Sequence, residues 1–152
     1  MALPQIGDPA PSFALPSEEG ELIKLEDFHG KRVVLFFYPR ANTKGCTTEA
    51  CGFRDDYSAF EAKDVVVLGI SPDTVSDQAK FSQKYTFPYH LLADEDHAIA
   101  EAYGVWVLKK MYGREYMGVQ RTTFIIDEEG KIQEVFEKVK PLGHSQQVLD
   151  VL

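Results

Sequence analysis

Cys46 and Cys51 are the only two thiols of this chain, and both fall in the stretch Tyr38-Pro39-Arg40-Ala41-Asn42-Thr43-Lys44-Gly45-Cys46-Thr47-Thr48-Glu49-Ala50-Cys51. The residues before it, 33–38, form an apolar run that reads as a buried strand; Pro39 ends the strand, and a helical pattern starts a few residues later. Cys46 therefore falls at a helix N-terminus, where the unpaired backbone N–H groups and the positive end of the helix dipole favour an anion. A thiol in that place is stabilised as the thiolate, so its pKa is expected below that of a free cysteine and its chemistry is nucleophilic.

The spacing to Cys51 adds a constraint. On an ideal helix, positions i and i+5 lie roughly 8.6 Å apart and about 140° around the axis. A disulfide needs Cα atoms within about 7 Å and side chains that face one another. The two sulfurs therefore cannot join while the helix is intact. If they react, the first turns must unwind, and Gly52 beside Cys51 weakens the helix by roughly 1 kcal/mol relative to alanine. A cycle alternating a folded thiolate site with a locally unfolded disulfide would use these features.

Several elements must hold that stretch in place. Residues 1–30 carry Pro4, Pro9, Pro11 and Pro16, with Glu18-Glu19-Gly20-Glu21 as a turn between short strands at 13–15 and 22–24, an N-terminal hairpin laid against the core. Residues 31–38 form the first central strand. Residues 47–62 bring Ala50, Phe53, Tyr57 and Phe60 to one helical face, and residues 65–70 are a second buried strand. Strand, helix and strand over this length make a βαβ unit with parallel pairing and a right-handed crossover. Further on, helices are expected at 75–85 and 95–103, the latter closed by Gly104, with a short extended piece at 89–93 between them. Residues 106–119 show no clear periodicity and read as a loop or ribbon. Strands at 122–127 and 131–137 flank Asp127-Glu128-Glu129-Gly130 as a hairpin, and a helix at 143–152 closes the chain.

At 152 residues the chain is sized for a single domain, 1–152, with a full core and no second domain. A formal net charge of -8 makes the average surface repel nucleic acid and anionic membrane but leaves a small neutral substrate unaffected. The start, Met1-Ala2-Leu3-Pro4-Gln5-Ile6-Gly7-Asp8, lacks the basic and apolar regions of a signal peptide, and no apolar run approaches about 18 residues, so a cytoplasmic location is expected. In a reducing compartment, paired cysteines are more often catalytic, metal-binding or inert than structural. His29, His90, His97 and His144 are scattered without zinc-site spacing, there is no Gly-rich phosphate loop, and no basic stripe suits nucleic acid. No metal and no cofactor are expected.

The pattern Pro39-x-x-x-Thr43-x-x-Cys46 resembles the peroxiredoxin active-site motif. The second cysteine five residues on is similar to the bacterioferritin comigratory protein, or peroxiredoxin Q, subfamily. The resemblance extends along nearly the whole chain, through Gly104-Val105-Trp106 and Arg121-Thr122-Thr123-Phe124-Ile125-Ile126-Asp127. It implies an α/β, thioredoxin-like fold with a central mixed sheet, an N-terminal hairpin extension and flanking helices, which agrees with the order of elements above. It also implies a peroxidatic Cys46, a resolving Cys51, Thr43 and Arg121 orienting a hydroperoxide, Pro39 shielding the thiol from water, and thioredoxin as the reductant.

Peroxide reduction requires donors to the charge that develops on the leaving oxygen, which the Gly45 and Cys46 N–H groups, the Thr43 hydroxyl and Arg121 can supply. Each residue also has a plainer reading. Cys46 could be an inert buried thiol, Cys51 a core cysteine, Thr43 a helix cap and Arg121 a solvated strand residue or ion-pair partner. Glu49 either caps the helix start or pairs with an arginine, and Phe37, Tyr38 and Trp106 either line the pocket or fill the core. The leading expectation is a monomeric thiol peroxidase for hydrogen peroxide and small organic hydroperoxides. Its rivals are a non-enzymatic disulfide sensor or thioredoxin-like binding module, and a one-cysteine peroxidase resolved by an outside thiol.

Overall fold

The computed structural model describes residues 3–152, so Met1 and Ala2, part of the stretch read against a leader, lie outside the described residues. An antiparallel hairpin of β1 (Ala14–Pro16) and β2 (Leu22–Lys24) forms where the turn residues demand it, followed by a 3-10 turn at Leu25–Phe28. Next come β3 (Arg32–Phe37), α1 (Lys44–Asp55), α2 (Tyr57–Ala62), β4 (Val65–Ser71), α3 (Val75–Tyr85) and β5 (His90–Ala93). The second half holds α4 (Ala98–Ala102), β6 (Trp106–Met111), β7 (Arg114–Val119), β8 (Thr122–Ile126), β9 (Ile132–Phe136) and α5 (His144–Leu149).

Five strands form one mixed sheet in the order β5-β4-β3-β8-β9, with β3, β4 and β5 parallel and β8 and β9 antiparallel. Side chains alternate across β3 as the pleat requires. Val33, Leu35 and Phe37 join one core layer with the hairpin residues Leu15 and Ile23 and with Ala100 of α4. Val34, Phe36 and Tyr38 join the other, with Ala50 and Phe53 of α1, Phe81 of α3 and Val148 of α5. The hairpin is latched to the sheet edge by Glu18, whose carboxylate accepts the Leu91 N–H at 2.9 Å and lies 3.0 Å from His90 Nδ1.

The sheet register determines what meets at its end. Phe37 pairs with Thr122 of antiparallel β8, so Arg121, one residue before that strand, sits beside the C-terminal end of β3 where the cysteine stretch begins. Sites in open α/β sheets gather at this edge, beyond the carboxyl ends of the parallel strands.

Two expectations are corrected, and a third, left open between loop and ribbon, is resolved as the ribbon. The helix expected at 47–62 begins at Lys44 and is two helices, interrupted at Asp56 (φ -96, ψ 8), whose carboxylate accepts a 2.7 Å bond from the Ser145 hydroxyl of α5. The helix expected at 95–103 is shortened to α4. His97 is left-handed (φ 52), and the Asp94 carboxylate accepts the N–H groups of Ile99 and Ala100 at 3.1 and 2.8 Å, satisfying that helix's first turn from outside. Residues 106–119 resolve as a two-stranded ribbon of β6 and β7, closed at Tyr112-Gly113 with φ 52 and 76. Positive φ at both turn positions is the hairpin geometry whose twist matches the strands, and Gly113 makes it accessible. No helix among the described residues is long and apolar enough to cross a membrane.

Gly69 on β4 marks where the sheet has no spare volume. A Cβ there would lie 2.8 Å from Phe36, 2.9 Å from Leu91 and 3.1 Å from Tyr38. Gly69→Ala is expected to cost about 1–3 kcal/mol of unfolding free energy through overpacking, read as a lower urea midpoint at unchanged slope.

Candidate functional site

Cys46 occupies the first turn of α1, ahead of the first helical bond, in which the Thr47 N–H donates to the Thr43 carbonyl at 2.8 Å. Its side chain is buried at 1% exposure, and the Arg121 Nη2 group donates to its sulfur at 3.3 Å across 75 residues of sequence. The other arm of the same guanidinium, Nη1, donates to Glu49 Oε1 at 2.7 Å. Arg121 is thus a fork with one prong on a carboxylate and one on the thiol. Burial alone would weaken its charge, but Glu49 and Cys46 outweigh burial and hold the guanidinium more firmly protonated.

Glu49 pairs with an arginine, one of its two expected uses. It is fully buried, and its second oxygen, Oε2, has no hydrogen-bond partner among the described residues. Burial, opposed by Arg121, raises its carboxyl to about 7.

Thr43 stands at the N-cap position of α1, yet its hydroxyl caps nothing. It donates back to the Arg40 carbonyl at 2.8 Å, which leaves the oxygen's lone pairs as acceptors toward solvent. Gly45 has a steric role that the sequence did not reveal: a Cβ at that position would lie 3.0 Å from Arg121 Nη2 and 3.4 Å from Pro141. The missing side chain is what lets the guanidinium approach the helix start.

Cys51 lies on the same unbroken helix, half-exposed and without a disulfide. Burial pushes its thiol pKa up, Arg54 pulling the other way and Asp55 adding to the rise. Gly52 beside it does more than weaken the helix: a Cβ there would lie 3.2 Å from Ser145 Oγ, so this glycine also lets α1 pack closely on α5.

A groove of about 500 Å3 lies at the start of α1, between Pro39, Arg40, Thr43 and Pro72 and the ribbon residues Trp106, Lys109, Met111, Tyr116 and Met117; its lining reaches Thr43 and includes neither cysteine. Trp106 therefore does line the approach, held flat against the His97 ring at 3.9 Å. Phe37 does not. It points into the opposite core layer against Tyr103 and Phe124, because strand residues alternate faces. Tyr38 shares the layer of Cys46, but its hydroxyl turns inward to Gln78 Oε1 at 2.6 Å. Apart from Trp106, the ribbon residues, Lys109 included, were not read as part of the site, since nothing in residues 106–119 signalled which of them would line a groove with Pro39. Lys109 is half-buried there, and burial and then Arg121 lower its pKa while Cys46 raises it. A larger groove, about 680 Å3, runs along residues 135–143, and neither cysteine lines it.

Residues 6–135 match the AhpC/TSA family. Peroxiredoxin Bcp of Bacillus subtilis is 47% identical over 148 residues, covering 97% of this chain and 94% of that one, and Peroxiredoxin Bcp of Escherichia coli K12 is 44% identical with coverages of 96% and 94%. Among solved structures, a cysteine-to-serine mutant of Xylella fastidiosa PrxQ superposes with a TM-score of 0.94 at 32% identity over 99% of this chain and 96% of that one. The Xanthomonas campestris bacterioferritin comigratory protein, solved as trapped intermediate and ligand complexes concerning its alkyl peroxide reduction activity, gives 0.90 at 33% identity with the same coverages. These likenesses establish the thioredoxin-like peroxiredoxin fold.

The buried Glu49 carboxyl gives the folded state a pH dependence of definite sign. Its folded pKa, about 7, lies above the ordinary 4.5, so the stability it contributes is complete below about 4.5 and is lost as pH rises through about 7. Urea unfolding of wild type and Glu49→Gln at pH 5 and pH 8 is expected to show the wild type losing about 2–3 kcal/mol relative to the variant, since from pH 5 upward only 7 - 5 = 2 pH units of the interval remain. Parallel behaviour of the two proteins would mean that Glu49 is ionised throughout.

Proposed function

The chain belongs to the AhpC/TSA family as a peroxiredoxin, and from that membership we propose that it reduces hydroperoxides by a two-cysteine cycle within one chain. The observation that carries the reading is the Arg121 guanidinium 3.3 Å from the buried Cys46 sulfur, at the open end of a helix beside a groove. In this reading the Gly45 and Cys46 N–H groups, in the first turn of α1, supply donors to the oxyanion that develops during attack.

In the first step the Cys46 sulfur attacks one oxygen of ROOH. The S–O bond forms as the O–O bond breaks, and the leaving alkoxide or hydroxide takes up a proton. Thr43, its hydroxyl hydrogen already given to Arg40, accepts the bond from the peroxide O–H, and Arg121 donates to the departing oxygen. In this reading Pro39, part of the groove lining, shields the sulfur from water. Helix α1 then unwinds, which brings Cys51 out of the setting that holds its thiol protonated. The Cys51 sulfur attacks the Cys46 sulfenic acid, forming the disulfide and releasing water. A thioredoxin-type dithiol reopens that disulfide on the exposed segment and is itself oxidised. Because Cys51 is supplied internally, the cycle needs no second subunit.

Intact mass and peptide mapping after one equivalent of hydrogen peroxide test the cycle. Reduced wild type is expected to lose two hydrogens, mapped to a Cys46–Cys51 bond; Cys51→Ser should instead hold oxygen on Cys46, and Cys46→Ser should not react. Oxygen on Cys46 of wild type without a disulfide would transfer the resolving role to an outside thiol. A disulfide that forms but never turns over with a dithiol reductant would favour a redox switch.

Removing either polar group that contacts the peroxide should slow the oxidation step itself. Thr43→Val and Arg121→Gln are each expected to lower the second-order rate constant for peroxide by about 100-fold or more, the scale of about 3 kcal/mol per lost transition-state donor. Stopped-flow fluorescence of Trp106 gives the measurement.

A further inference from the structure

The turn that carries Thr43 into the site has an unusual support. Asn42 is left-handed with φ 60, a turn conformation that asparagine adopts more readily than most residues. The Thr43–Arg40 bond is internal to the turn, and the Asn42 side chain reaches Lys84 of α3 at 3.4 Å on the exposed side. The bond that ties the turn to the sheet is the Ala41 N–H donating to Asp73 Oδ2 at 2.7 Å.

Asp73 lies just beyond the end of β4, and its carboxylate terminates a chain of bonds with one direction throughout. The Tyr38 hydroxyl donates to Gln78 Oε1 at 2.6 Å, Gln78 Nε2 donates to Ser71 Oγ and to the Leu92 carbonyl at 2.8 Å each, and Ser71 Oγ donates to Asp73 Oδ2 at 2.6 Å. Tyr38, Ser71 and Gln78 are all buried, so each of these groups would be costly to leave unpaired. Cooperativity along such a chain strengthens its last bond, from the Ser71 hydroxyl to Asp73 Oδ2, which fixes the carboxylate where it accepts the Ala41 N–H. Asp73 is not occupied in capping α3, since Thr74 fills that position and accepts the Asp77 N–H at 3.1 Å.

We propose that Asp73 is a positioning residue for peroxide reduction: by holding the Ala41 N–H it fixes the Arg40–Thr43 turn so that the Thr43 hydroxyl and the α1 N-terminus are aligned with Cys46. The inference rests on the peroxidase reading above. It divides the site between two supports, Arg121 gripping the thiol from the β8 side and Asp73 gripping the turn from the β4 side. Asp73 does not itself line the groove, and the bond it makes to this turn goes to the Ala41 backbone, so it acts through the geometry it imposes.

The test compares wild type, Asp73→Ala, Asp73→Asn and Ser71→Ala by three readouts. These are Trp106 stopped-flow oxidation by hydrogen peroxide, the rate at which dithiothreitol reduces the pre-formed disulfide, and thermal melting. Asp73→Ala is expected to slow oxidation by about 10- to 100-fold, the scale of a reacting group displaced by up to about 1 Å, whereas Asp73→Asn, whose amide oxygen accepts the same two bonds, stays within about threefold of wild type. Dithiothreitol reduction should be unchanged in both, and melting should fall by no more than about 5 °C. Ser71→Ala, which keeps Asp73 but cuts the chain behind it, should slow oxidation by about 3- to 10-fold, and it decides the matter if Asp73→Ala does not fold. Wild-type oxidation rates in Asp73→Ala or in Ser71→Ala, or equal slowing in Asp73→Ala and Asp73→Asn, would overturn the proposal while leaving the peroxidase reading intact. A wild-type protein whose Cys46 does not react with peroxide would overturn both.

Discussion

The structure turns on one buried cation. Arg121 brings a charge that cannot be neutralised by losing its proton into a space where Glu49 is fully enclosed and Cys46 nearly so. Its planar fork lets it meet the carboxylate at 2.7 Å and the sulfur at 3.3 Å together, which a lysine's single ammonium would not reproduce. Everything nearby accommodates that fork. Gly45 gives it room, the β3–β8 register delivers it to the helix start, and the Val139 N–H holds its backbone carbonyl at 3.0 Å.

The same arrangement carries a tension. Helix α1 holds Cys46 inward and Cys51 half outward, and the proposed cycle requires that this helix open once per turnover. Features that keep it closed are specific: Arg54 donates from its last turn to the Tyr85 carbonyl at 2.8 Å, Tyr89 donates to the Ala50 carbonyl at 2.6 Å, and Gly52 permits close contact with α5. Features that favour opening are present in the same helix. Glu49 keeps an oxygen buried without a partner, and glycines stand at positions 45 and 52. A buried charged pair of this kind is poor as a source of stability, and it holds one geometry for as long as the pair is intact.

Most of the fold could be read from the chain. Strand positions followed from apolar runs and turn residues, and the βαβ unit followed from their spacing, because those signals are local and periodic. What escaped had non-local causes. The break at Asp56 depends on Ser145, the shortening of α4 depends on Asp94 acting from outside the helix, and the ribbon's place over Pro39 depends on packing such as His97 against Trp106. Phe37 and Tyr38, adjacent in sequence, were given the same pair of readings, pocket or core, although the pleat sends them to opposite layers.

By itself the sequence determined that a thiol would stand at a helix N-terminus and that its nearest thiol partner would be five residues away on the far side of the same helix, because helix geometry is set by the backbone. It also determined the family, through residues whose types and spacing are legible without coordinates. Only the tertiary structure decided that Arg121 meets Cys46, that Glu49 is the carboxylate sharing it, that Gly45 and Gly52 stand where a Cβ would crowd Arg121 and Ser145, and that Asp73 bonds the turn before Thr43. Each of those contacts joins segments that only strand register and layer packing bring together, and interactions of a few ångströms' range leave no periodic mark in the chain that makes them.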